Sequence, residues 1–140
     1  MAVSYHVLPR FNLALFAYAG QVTFAESLAA VAAVARHPDH HDTMRQLCDL
    51  SRVTGVERNF PALMQMQARM AESLRPKQGE RFVIFYAPHD AARELSHMAR
   101  KSWDGLDHVL VREVSEEAEA LALLGLKQSC IADLVSEMPT

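Results

Sequence analysis

The chain holds few cysteines, one tryptophan and five glycines among its 140 residues, and it has no excess of positive charge. Each scarcity excludes a class of protein. Cys48 and Cys130 lie in opposite halves of the chain and match no Cys-x-x-Cys or other metal spacing, so reduced structural thiols are expected rather than a disulfide framework. The glycines form neither Gly-x-x-x-x-Gly-Lys-Ser/Thr nor Gly-x-Gly-x-x-Gly after a strand, which removes the common nucleotide-binding loops. With 14 Lys plus Arg against 17 Asp plus Glu the formal net charge is -3, and no basic footprint for nucleic acid is present. No run reaches the roughly 20 apolar residues that span a bilayer. The apolar N-terminal stretch is broken by Arg10 and Asn12, unlike a secretion signal. A cytoplasmic protein without a membrane span is the expectation.

What the chain does have is apolar surface. Hydrophobic residues make up 50% of it, enough to build the core of one ordinary domain. Residues 4–8 and 13–19 are short runs of Val, Leu, Phe and Tyr separated by Pro9-Arg10-Phe11-Asn12, a pattern that predicts a hairpin. Thr23 with Glu26 forms a capping-box pattern. Phe24, Leu28, Val31 and Ala35 recur at helical spacing behind it. A buried strand is predicted over 44–50, followed by a helix capped by Asn59, with Pro61 in its first turn and Phe60, Leu63, Met64, Met70 and Leu74 outlining its apolar side. The run 81–87 predicts a strand covered on both faces. Asp90 is expected to cap a helix reaching Lys101 with Ala91, Leu95, Met98 and Ala99 inward, 107–113 is expected to be a strand, and Ser115-Glu-Glu is expected to cap a last helix closed by Gly125.

The order β-β-α-β-α-β-α-β-α predicts an α/β fold with a mixed, mostly parallel five-stranded sheet, an N-terminal antiparallel hairpin and about four flanking helices. One domain over 1–126 is expected, with 127–140 as a tail of helical pattern in which Ile131, Leu134 and Val135 extend the fold or meet a partner.

From the hairpin ending in Tyr18-Ala-Gly20, the capped helix, the segment Leu47-Cys-Asp49-Leu50-Ser51, the strand 82–87 and the late Glu117-Ala-Glu-Ala-Leu121, the chain resembles the STAS domains (sulfate transporter and anti-sigma factor antagonist), in their SpoIIAA-like bacterial branch. The resemblance covers roughly 5–126. It implies a non-enzymatic regulatory module that docks on a protein partner or, in some relatives, holds a small ligand. In the anti-sigma antagonists a phosphorylated serine occupies an Asp-Ser-Ser-Gly stretch. Here that stretch reads Val53-Thr-Gly-Val-Glu-Arg-Asn59, with Thr54 its only hydroxyl and Ser51 just upstream.

Three constellations carry chemistry. His37, His40 and His41 with Asp39 and Asp42 are metal-ligand types, although their spacing fits no standard site and a solvated connector accounts for them better. Asp49, Ser51, Arg52 and Thr54 beyond the third strand, with His89 and Asp90 beyond the fourth, are expected to meet in the crevice at the strand ends where open α/β sheets bind ligands. Arg58 and the helix starts at Asn59 and Asp90 add positive charge and backbone amides for an anionic group, against the simpler reading that Asp49 and Asp90 brace their own loops. Ser51, His89 and Asp49 also have the residue types of a hydrolase triad, without a Gly-x-Ser-x-Gly elbow. A carrier of a small apolar ligand would instead use the region of Phe60, Met64 and Phe85, while Met66 and Trp103 are candidate contact residues. No cofactor is implied. Self-association as a homodimer through an edge strand or the tail stays open.

Overall fold

A computed structural model describes residues 2–41, 43–59, 61–65, 68, 81–101 and 109–136. Phe60, Met66, Met70, Leu74 and Trp103, singled out above, lie outside the described residues, as does Asp42 of the histidine-rich loop.

Strand β1 (Val3–Leu8) turns through a single 3-10 turn at Pro9–Phe11 into β2 (Leu13–Val22). Asn12 closes the turn in the left-handed region at φ 52, a conformation asparagine tolerates better than most side chains. Val3 pairs with Tyr18 and Leu8 with Leu13, antiparallel. Helix α1 (Phe24–Ala35) follows. Its capping box is half formed: the Glu26 amide donates to Thr23 Oγ1 at 3.2 Å, but the Glu26 carboxylate accepts from the Thr23 hydroxyl and from the Ala2 amide. Glu57 accepts the first helical amide, that of Phe24, at 2.6 Å. The buried side of α1 is Phe24, Ser27, Ala30, Val31 and Val34, rotated from the predicted stripe so that Ala35 faces out.

Strand β3 (Arg45–Val56) runs 6 residues past the end of the predicted element at Leu50, pairing with nearly all of β2 but with β4 (Arg81–Tyr86) only over Gln46–Asp49. Residues 61–65 are helical. Helix α2 (Asp90–Lys101), strand β5 (Val109–Val114), helix α3 (Glu117–Leu123) and helix α4 (Ile131–Ser136) complete the described chain. Gly125 ends α3 at φ 71, with the Leu126 amide on the Leu121 carbonyl and the Gly125 amide on that of Ala122, a Schellman closure. The predicted Ser115 cap is replaced by Glu116, which makes no side-chain cap bond.

The sheet is the expected mixed one, β1 antiparallel to β2 and the rest parallel, in the order β1-β2-β3-β4-β5. Right-handed crossovers that always step the same way place their helices on one face. α1 and α2 accordingly share a core with Ala14, Phe16, Cys48, Leu50, Val83 and Phe85. The second face carries Leu13, Leu15, Leu47 and Ile84 and is roofed by α3 and α4. Ile131 and Leu134, from the segment set apart in sequence as a tail, are buried in this second core. Among the described residues no helix is long and apolar enough to cross a membrane.

Candidate functional site

The β2–β3 pairing breaks step in a way that matters for the site. Ala17 faces Asp49 but Ala19 faces Arg52, so β3 carries one extra residue. Leu50 and Val53 both enter the first core, and Ser51 and Arg52 between them both line a groove on the opposite face. A regular pleat alternates faces and would send one of these two inward; the bulge puts both on one side.

This groove has a volume of about 420 Å³. Its floor is small and apolar, Leu15, Ala17 and Ala19 of β2. Ser4 and His6 of β1 stand at one side, Asp49, Ser51 and Arg52 at the other, and Ile131, Ala132 and Val135 of α4 form a wall with Glu117 at the start of α3. Sheet register sets Ser4 beside Ala17, Ala17 beside Asp49 and Asp49 beside Tyr86. Burial, and after it the charges of Glu117 and Asp49, push the Tyr86 phenol above its ordinary value, which places both carboxylates near that ring. Each carboxylate is held by a backbone amide: Asp49 Oδ1 accepts from Ser51 N–H at 3.0 Å and Glu117 Oε2 from Ile131 N–H at 2.9 Å.

The structure therefore brings Asp49, Ser51 and Arg52 together but separates them from the other predicted residues. Strand order never reverses, so the sheet has no switch-point crevice, and the cavity lies on a sheet face instead of beyond the strand ends. Thr54 is an exposed strand residue outside the groove lining. Arg58 pairs with Glu94 of α2 at 2.6 Å. Asn59 Oδ1 accepts from the Ala62 amide at 3.1 Å, the expected cap. Asp90 is fully exposed and pairs with Arg93; His89 is the cap of α2 in its place, its Nδ1 accepting from the Ala92 amide at 3.3 Å. These two helix starts thus spend amides on their own side chains, and neither is an open anion seat.

His89 also answers the hydrolase expectation. With Nδ1 accepting, Nε2 carries the proton and donates to the Ser51 carbonyl at 3.0 Å. The three residues are linked through the Ser51 backbone, not its hydroxyl, so the nucleophile-to-base contact is not made. In the histidine-rich loop His37 Nδ1 accepts from the Asp39 amide and His41 bonds Thr43. Among the described residues no group of three or more potential ligands gathers to hold a metal.

The apolar site expected near Phe85 takes a different form. Met64 is 68% exposed, and Phe85 lines a cavity of about 30 Å³ between the sheet and α1 and α2, bounded also by Tyr18, Ser27 and Cys48. That space holds a water molecule and little more. Sequence reasoning missed Ser4, His6, Tyr86 and Glu117, which come from segments with no shared motif and are brought together only by the fold, the first three by sheet register and Glu117 by the start of α3. No protein-family model matches the chain, and no curated protein matches it.

Proposed function

We propose that the chain is a non-catalytic binding module of STAS-like type, working in the bacterial cytoplasm, and that the groove on the second sheet face takes a small ligand. The observation that carries this reading is the groove itself: about 420 Å³, apolar-floored, with a few polar groups converging on it. Ligand sites run from roughly 300 to 1,000 Å³ and have this composition. The succession of strands and helices supports the resemblance drawn from the sequence. Docking of a protein partner through the segment after β3 is less favoured, because Arg58 and Asn59 are engaged within the chain.

Native mass spectrometry of protein purified gently from its own host, beside an Ala132→Trp variant, tests the reading. Ala132 is exposed on the groove wall, so the larger ring fills the groove without entering the core. The expected result is a small molecule retained by the unaltered protein and lost from the variant. A small molecule retained equally by both removes the groove as the site. A second polypeptide with no small mass moves the reading to partner docking.

A further inference from the structure

We infer that β1 is a contact between two copies of this chain, which join edge to edge as an antiparallel, twofold-symmetric pair centred on Tyr5. The sheet ends at β1 on one side and at β5 on the other. An edge strand presents unpaired backbone amides and carbonyls, and edges that stay unpaired are commonly blocked by charge, proline or a bulge. β5 is blocked in this way: it carries Arg112 and Glu113, and the Arg112 guanidinium folds back to donate to the Val111 carbonyl at 2.9 Å. β1 reads Val-Ser-Tyr-His-Val-Leu, with no Lys, Arg, Asp or Glu, no proline before Pro9 and an unbroken register on β2.

The ladder to β2 fixes which groups are left over. The Ala19 amide donates to the Ala2 carbonyl at 2.7 Å, so in the β1–β2 register the bonded residues of this strand are Ala2, Ser4, His6 and Leu8. The amides and carbonyls of Val3, Tyr5 and Val7 therefore point away from β2, where among the described residues no other strand meets them. Placed with Tyr5 facing the partner's Tyr5, Val3 meets the partner's Val7, and each facing pair exchanges two hydrogen bonds. The register ends there of itself, since the next outward residue, Pro9, has no amide to give.

Side chains match in the same register. On the first-core side Val3, Tyr5 and Val7 meet Val7, Tyr5 and Val3, all β-branched or aromatic, and Tyr5, 39% exposed, is the one that a single chain leaves uncovered. On the groove side Ser4 faces the partner's His6 and His6 the partner's Ser4, a hydroxyl opposite an imidazole, and no like charges meet. The twofold axis stands perpendicular to the sheet and keeps like faces together. Both grooves then open on one side of a continuous sheet, with the partner's His6 at the rim beside Ser4.

Sedimentation velocity of the purified chain from about 1 μM to 500 μM tests the pairing, the range in which a small interface associates. The mass is expected to rise to twice that of the chain. Tyr5→Lys puts like charges face to face at the axis and should weaken association about tenfold or more, with the far-ultraviolet dichroism unchanged because the position is exposed in the single chain. A second measurement reads the register. In a Cys130→Ser background, with Cys48 buried, Ser4→Cys chains mixed with His6→Cys chains should form a disulfide-linked dimer on mild oxidation, since facing residues of a non-bonded pair lie about 4.5 Å apart at Cα. Neither chain alone should do so, because diagonal neighbours are about 7–8 Å apart. A chain that stays monomeric throughout the range overturns the inference, as does a dimer that Tyr5→Lys leaves intact. So does linkage of either cysteine variant by itself as readily as the mixture. The groove reading stands or falls separately: a single chain that retains a groove-dependent small molecule keeps that reading and removes only the pairing.

Discussion

Cys48 and Tyr18 are neighbours in the first core, and burial pushes both the thiol and the phenol above their ordinary values of 9.0 and 10.0. A folded-state pKa raised in this way means that above those values the unfolded chain has lost a proton the folded chain keeps. The stability these groups contribute is therefore complete below pH 9 and declines as pH rises beyond it. Urea unfolding between pH 8 and pH 11 should show stability dropping by about 1.4 kcal/mol per pH unit from Cys48 and, above pH 10, by a similar amount again from Tyr18. Cys48→Val should remove the first part of that slope, and a slope unchanged by the substitution would contradict the assignment. At this scale much of the site was readable: Asp49, Ser51 and Arg52 were identifiable from residue type and position. The cap of α2 was not, because aspartate is the commoner cap and adjacent Asp90 fits the pattern; geometry gave the task to His89, whose ring reaches both the Ala92 amide and the Ser51 carbonyl.

The length of β3 is where element-level reading fell short. Ser51-Arg-Val-Thr-Gly-Val56 lacks a continuous apolar run and contains a glycine, so it reads as a loop, yet the long β2 pairs with it as far as Val56 and carries it as strand. The order of strands and helices was legible because apolar period and caps are local signals, whereas a bulge depends on a partner strand that the segment itself does not encode. Arg45, at the head of β3, was also silent in the sequence. Its guanidinium donates to the Leu124 and Phe11 carbonyls at 2.6 Å each and, more weakly, to that of Asn12, tying the hairpin turn to the end of α3. Arg45→Ala should lower the unfolding free energy by about 2–3 kcal/mol, because carbonyls lose charge-assisted donors. Arg45→Lys should recover less than half of that, since a single ammonium cannot span two carbonyls as the planar fork does. Denaturant midpoints of the two variants check both statements.

For the molecule as a whole, stepping strands in chain order gives α1 and α2 one face and leaves the other to α3 and α4, helices of 7 and 6 residues. Such short helices cover the second face incompletely, and the groove is the uncovered part. Leu134, completely buried, holds α4 in place. Leu134→Ala should cost about 2–4 kcal/mol in unfolding free energy and loosen α4 in hydrogen exchange, while half-buried Val135→Ala at the groove should cost less than about 1 kcal/mol. An equal effect of the two would mean that α4 is not anchored through Leu134. The groove takes its floor from residues 2–52 and its wall from residues 117–135, so neither half of the chain contains it. A molecule seated there touches the first strands and the last helices at once and acts as a clasp between them, binding only where the two have already met.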